Sequence, residues 1–345
     1  MKIKNFEINK NSPTFIIAEL SANHNGSIET AKETIRAAKR AGADCIKFQT
    51  YTADTITIDS RKDDFLIKGT IWDGKNLHDL YQEAYTPWEW HKELFEVAEE
   101  EGLIYFSSPF DKSAVDFLED LNVPAYKIAS FEITDIPLIE YVASKGKPVI
   151  ISTGIATEED IQLALDACYR MGNKEVALLK CTSSYPAPIE EANMRMIQDF
   201  SERFGVIAGL SDHTMGSAVP VVATCFGGKI IEKHFILDRS IGGPDASFSM
   251  NEQEFTEMVK AVRDAEKAIG VVDYQLTEKQ QKGKDFSRSL YVVKDVKAGD
   301  VITEDNVRSI RPGYGLHPKY LKEILGKTFT QDLEKGERMS SEFCK

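Results

Sequence analysis

One apolar segment after another in this chain stops on a side chain able to do chemistry. TFIIAEL ends near Glu19, DCIKFQT carries Lys47 and Gln49, LIYFSSP ends near Ser107 and Ser108, and AYKIAS carries Lys127 and Ser130. Further along, PVIIST carries Ser152 and Thr153, VALLKCT Lys180 and Thr182, VIAGLSDHT Ser211, Asp212 and His213, and KIIEKHF Glu232 and His234. Each run is short and rich in strand-favouring residues, so each reads as a strand with a polar end. In a barrel of parallel strands the C-terminal ends meet at one mouth, where such enzymes carry their active sites.

Three kinds of chemistry follow from the residue types. His213 and His234 fall at consecutive strand ends, which would set two imidazoles at one level of the mouth, as metal ligation requires. No carboxylate or thiolate completes a four-ligand set, so such a metal would keep positions open for water and substrate, a catalytic rather than structural arrangement. Two histidines with oxygen ligands suit Mn²⁺, with Mg²⁺, Co²⁺ or Zn²⁺ also accommodated. On spacing alone, two structurally satisfied histidines explain the pattern equally well. Lys47 and Lys127, set inside apolar segments, form a clamp for phosphate or carboxylate, although strand-end lysines also snorkel to solvent. The hydroxyls of Ser108, Ser130, Ser152 and Ser211 can donate to the same anion. Glu19 and Glu132 are the acid/base candidates, because a carboxylate in a low-dielectric mouth has its pKa raised toward working pH. Glu132, in SFEITD, could equally cap a helix start. Trp72, Trp88 and Trp90 could stack on a sugar or simply pack, and His91 is expected on a helix surface.

The elements that must position these groups are legible between the apolar runs. Segments of helical period occupy 28–41 after Asn25-Gly26, 88–101 after Thr86-Pro87, and 158–171 after Thr157. Gly42, Gly102, Gly146 and Gly172 follow helical segments where C-caps belong. Strand and helix in alternation give a parallel α/β architecture. About eight strands between residues 14 and 235 fit a (β/α)8 TIM barrel. A doubly wound open sheet competes less well, since the early glycines form no dinucleotide fingerprint. The long polar insertion at 55–85, with Trp72, Asp73-Gly74 and Asn76, reads as a loop over the mouth.

Composition sets outer limits. The 345 residues are 42% hydrophobic and 28% charged, enough for one large core and a small second domain. A net charge of -13 argues against nucleic acid or an anionic membrane surface as partner. The N-terminus lacks an apolar signal region and no membrane-length apolar run follows, so a cytoplasmic location is expected. Cys45, Cys168, Cys181, Cys225 and Cys344 are scattered and lack CxxC spacing, as expected of reduced thiols. From about Gly270 the pattern becomes polar and unpatterned, and short β-like runs follow Arg288. A segment of about sixty residues is marginal alone and is expected to pack on something.

AELSANHNG, IKFQTY, SSPFD, AYKIASFEI, STG, CTSSYPAP, GLSDHT, IEKHF and GGPDASFS, followed by RPGYGLHP, form an ordered series along nearly the whole chain. This series resembles the sialic acid synthase family, enzymes that join phosphoenolpyruvate to an N-acetylated amino sugar. The resemblance implies a TIM-barrel catalytic domain over 1–269, a linker over 270–285, and a β-rich antifreeze-like (SAF) domain over 286–345. In that family the SAF domain covers the partner subunit's barrel mouth, so a domain-swapped homodimer is implied. By position, phosphoenolpyruvate falls to Lys47, Ser108, Lys127, Ser130, Ser152, Ser183 and Ser211. A divalent metal, usually Mn²⁺, falls to His213 and His234. Glu19, Gln49, Tyr185 and Asp245 would hold the sugar, with Arg311 reaching it from the neighbouring subunit. The chain departs from the family at Ser108, where some members have threonine, and from its neuraminate-forming members at Ser183 (asparagine) and Phe131 (glycine). GTIWDGKNLHDLYQEAYTPWEWHKELF is most similar to the branch whose acceptor is 2,4-diacetamido-2,4,6-trideoxy-L-altrose, a precursor of bacterial surface glycans. N-acetylmannosamine and the legionaminic acid precursor are the neighbouring acceptors. More remote alternatives are a Schiff-base aldolase using Lys127 or Lys180 and a non-catalytic sugar-binding barrel.

Overall fold

The computed structural model describes residues 1–345. A short hairpin, β1 (Lys2–Ile3) with β2 (Phe6–Glu7), precedes eight parallel strands. These are β3 (Phe15–Glu19), β4 (Cys45–Thr50), β5 (Ile104–Pro109), β6 (Tyr126–Ile128), β7 (Val149–Ser152), β8 (Val176–Cys181), β9 (Ile207–Asp212) and β10 (Ile230–His234). Each pairs with its sequence neighbour, and β10 closes the ring on β3. The expected TIM barrel is therefore present.

Side-chain alternation along the strands divides the barrel. Phe15, Ile17, Cys45, Phe106, Ile150, Leu179 and Ile230 form one buried cluster, joined by Ile3 and Ile8 of the hairpin end of the chain. Their strand neighbours Ile16, Ile46, Ile151, Leu178 and Ile231 belong to the larger cluster that includes the helices. Two residues beyond the inner set, the same inward face carries Glu19, Lys47, Ser108, Ser152, Cys181 and Glu232. The barrel interior thus turns from apolar to polar toward its mouth. Gly209 permits the close approach of β9 to its neighbours, since a Cβ there would lie 2.4 Å from the Ile230 carbonyl oxygen.

Helices at Ile28–Arg40, His91–Glu100, Lys112–Asp120, Ile136–Ala143, Glu158–Arg170, Arg195–Phe204, Ala218–Cys225 and Glu252–Ile269 follow the eight strands in turn. Ser27, rather than Asn25-Gly26, caps the first by accepting from the Thr30 N–H. Thr157 and Asp160 cap Glu158–Arg170 reciprocally. The four glycines read as C-caps all take positive φ.

Two readings need correction. The insertion at 55–85 is not a bare polar loop: it carries a helix at Leu77–Ala84 whose Leu80 and Ala84 are buried, capped by the Asn76 side chain. His91 is fully buried rather than on the surface. A 3-10 turn at Trp88–Trp90 shifts the helical phase and turns the ring inward. There it bonds the Thr50 hydroxyl at 2.8 Å and packs on Phe95 and Phe117. Burial pushes its pKa down to about 4, so it is a neutral structural residue.

The chain divides into two compact units, Met1–Gly270 and Val271–Lys345. In the second, β11 (Ser289–Val292) pairs antiparallel with β12 (Val307–Ile310) over a small core of Leu290, Val292, Ile302, Val307, Phe329 and Leu333. A short helix, Glu278–Gly283, lies inside the span read as linker. No helix is long and apolar enough to cross a membrane.

Candidate active site

The polar strand ends converge on a cavity of about 420 Å³. Glu19, Lys47, Gln49, Lys127, Ser130, Glu132, Ser152, Tyr185, Ser211, His213, His234 and Asp245 all line it. Ser108 lies just behind, its hydroxyl accepting from Lys47 Nζ at 3.2 Å.

At the floor two buried ammonium groups meet two buried carboxylates. Lys47 Nζ lies 2.5 Å from Glu19 and 3.6 Å from Glu232 Oε1, and Lys127 Nζ lies 3.7 Å from the same Glu232 oxygen. Burial pushes Glu19 up to about 7, outweighing the pull of Lys47. Burial also opposes charge on Glu232, but Lys127 and Lys47 together hold it below the usual carboxylate range. Burial lowers Lys127, whereas Lys47 is carried above its ordinary value by Glu19 and Glu232 in spite of burial. With Glu19 protonated below about 7, two lysines share the single charged carboxylate of Glu232, which leaves positive potential that an incoming anion can satisfy. Hydroxyls stand beside them. Ser152 Oγ is buried without a hydrogen-bond partner. Ser130 Oγ accepts from the Gly154 N–H at 2.9 Å, and its own O–H is directed to Cys181.

Above the floor, the rings of His213 and His234 lie 5.4 Å apart, centroid to centroid. Nδ1 of His213 donates to the Thr182 carbonyl oxygen at 2.9 Å, and, against the effect of burial, Cys181 beside it raises the pKa of the ring. Nδ1 of His234 is buried without a hydrogen bond, 3.8 Å from Asp245 Oδ2. Burial holds His234 well below the ordinary histidine range, so it is neutral and has lone-pair capacity. No group of three or more histidine, cysteine, aspartate or glutamate side chains is arranged around a metal position.

Glu132 closes another side. Burial pushes its carboxyl up to about 7, against the pull of Lys127, and Oε2 has no partner. On the remaining side, Gln49 Nε2 donates to Glu19 at 3.0 Å and to Ser21 Oγ at 2.9 Å, and Ser21 donates to Asp245. Tyr185 stands 4.3 Å from the His213 ring and 4.9 Å from Phe248.

Residues 34–274 match the model of the NeuB family, and residues 287–337 match the SAF domain. The chain belongs to the NeuB family. It is 49% identical over 339 residues to pseudaminic acid synthase of Campylobacter jejuni (serotype O:23/36, strain 81-176), covering 98% of each chain. It is 48% identical over 331 residues to pseudaminic acid synthase of Helicobacter pylori, covering 96% of this chain and 97% of that one. Among solved structures it resembles the Bacillus subtilis spore coat polysaccharide biosynthesis protein SpsE, with a TM-score of 0.68, 31% identity, and 99% and 98% of the two chains covered.

Within this NeuB-family barrel some anticipated residues fall elsewhere. Ser183 does not line the cavity; its hydroxyl packs against Gly154, where a Cβ would sit 2.1 Å away. Lys180 lies outside the cavity, donating to the Cys181 carbonyl at 2.6 Å. That removes it as a Schiff-base nucleophile of the mouth. Arg311 is exposed, just past β12 in the second unit. Asp212 faces away from the mouth and pairs at 2.5 Å with fully buried Lys233. Conversely, Glu232, which the sequence marks as a usable strand-end side chain without a site role, joins the site because strand alternation puts it two residues before His234 on the same face. Ser21 and Cys181 were missed. Cys181 Sγ lies 3.9 Å from His213 Nδ1.

Proposed function

We propose that this chain condenses phosphoenolpyruvate with 2,4-diacetamido-2,4,6-trideoxy-L-altrose and water, giving pseudaminic acid and inorganic phosphate for bacterial surface glycans. The observation that carries the reading is the buried pair Lys47 and Lys127, sharing Glu232 beside the unpartnered Ser152 hydroxyl. Such a floor suits a small ligand bearing both phosphate and carboxylate. The choice of sugar is supported by near 49% identity, over almost full length, to proteins named pseudaminic acid synthase.

In this reading Lys47, Lys127 and the serine hydroxyls hold phosphoenolpyruvate by preorganised charge and hydrogen bonds. Its C3 attacks the aldehyde carbon of the open-chain sugar, forming the new C–C bond as the C=O π pair moves to the oxygen, which is protonated to a hydroxyl, and positive charge develops at C2. Water adds there, and Glu132 takes its proton; a carboxyl near 7 is matched to that task at neutral pH. Glu19 is the second candidate for the proton. The C2–O bond then breaks, leaving the ketone and expelling phosphate.

His213 and His234 fit a divalent metal, Mn²⁺ by preference, because both line the cavity and Nδ1 of His234 is buried without a partner; the remaining positions would fall to water and substrate. When bound, the metal supplies Lewis-acid polarisation of the sugar aldehyde. The proposal includes a cytoplasmic homodimer in which Arg311 of the partner subunit approaches the sugar.

Labelling the bridging oxygen of phosphoenolpyruvate with ¹⁸O tests the reaction. Mass spectrometry is expected to find an unlabelled nine-carbon acid and labelled phosphate. Label in the acid, or pyruvate without a nine-carbon product, would contradict it.

A further inference from the structure

The cavity has a second bank that the condensation chemistry does not use. Ile56, Ile67, Leu77, Leu80 and Ala84, all from the insertion at 55–85, line it together with Thr70, Trp72 and Tyr81. Leu80 and Ala84 are buried. The insertion meets the strand-end loops at Trp72, whose indole N–H donates to the Pro244 carbonyl at 3.1 Å and whose ring faces Tyr185. Pro244 and its neighbour Asp245 line the same cavity.

The aldehyde carbon has to lie on the strand-end bank, within reach of phosphoenolpyruvate over Lys47 and Lys127. The rest of a six-carbon chain then runs away from that bank, and its distal end meets the insertion. Against Ile56, Ile67 and Leu77 a hydroxyl finds no hydrogen-bond partner, Thr70 and Tyr81 being the hydroxyl-bearing residues of this bank, whereas a methyl group buries apolar surface at no polar cost. We infer that the aliphatic bank of the insertion is the specificity site for the distal end of the sugar, selecting a deoxygenated C6 methyl over a C6 hydroxymethyl group. This rests on the reading that the acceptor is a 6-deoxy diacetamido sugar and adds which residues make that choice.

The test compares kcat/KM for 2,4-diacetamido-2,4,6-trideoxy-L-altrose and its 6-hydroxylated counterpart, in the full chain and in Leu77→Asn and Ile67→Thr. The unsubstituted protein favours the 6-deoxy sugar by about 10- to 100-fold, the range a hydrophobic pocket achieves against an added hydroxyl. Each variant narrows the ratio by about fivefold or more, through loss on the 6-deoxy sugar. The KM for phosphoenolpyruvate reports whether each variant is folded. Equal use of both sugars by the unsubstituted protein overturns the inference without recourse to any variant. So does an unchanged ratio in variants that retain the phosphoenolpyruvate KM. Turnover of N-acetylmannosamine with neither altrose used would overturn the underlying choice of sugar, and the inference with it.

Discussion

The strand-end bank and the insertion bank enclose one cavity but are held by different forces. Glu19, Lys47 and Glu232 sit in a closed ladder, where β10 pairs with β3 through Glu232↔Ile17 and His234↔Glu19 and β3 with β4 through Glu19↔Lys47. A residue there cannot change register or face without breaking backbone pairing on both sides. The insertion is held by the Asn76 cap, a few buried aliphatic residues and the Trp72 indole bond. Chemistry is thus placed on the rigid element, and recognition of the variable end of the substrate on a segment that can change without disturbing the ladder.

The largest expected effects come from breaking the rigid bank. His213→Ala and His234→Ala should each lower kcat by about 10³-fold, the scale of losing Lewis-acid stabilisation. Phosphate release measures this, and near-normal rates in both would remove the two imidazoles from the chemistry. A smaller effect sharpens the assignment within that bank. Below a pKa of about 7 the Glu132 carboxyl is protonated and cannot accept a proton, so kcat should rise with pH through that value. Glu132→Gln should lower kcat by about 10²-fold and abolish the rise. Persistence of the rise in this variant, with its loss in Glu19→Gln, would transfer the role to Glu19. The smallest effect probes the other bank. Trp72→Phe keeps a ring but removes one hydrogen bond, and should raise the sugar KM about fivefold while leaving the phosphoenolpyruvate KM unchanged. Equal changes in both constants would show that the two banks are not separable.

The two banks also differ in how far they can be read from residues alone. Strand ends are legible because alternation has a period of two and the barrel rule brings every C-terminal end to one mouth. The same rule, applied strictly, excludes Lys180 by parity with Cys181 and includes Glu232 by parity with His234. It lapses where the strand stops: Ser183 lies two residues beyond β8, and its direction follows the loop. The insertion offered no comparable period. Its aliphatic residues are spread over some thirty positions among charges, and only tertiary folding gathers Ile56, Ile67 and Leu77 on one wall. His91 failed for a related reason, since a single 3-10 turn rotates the helix that follows.

The most direct test of the proposed reaction is phosphate release from phosphoenolpyruvate with Mn²⁺, using 2,4-diacetamido-2,4,6-trideoxy-L-altrose, N-acetylmannosamine and the legionaminic acid precursor in parallel, each with and without chelator. Release with the altrose alone, abolished by chelator and restored by Mn²⁺, is the expected result. Release with a different sugar, or release that survives exhaustive metal removal, would contradict it.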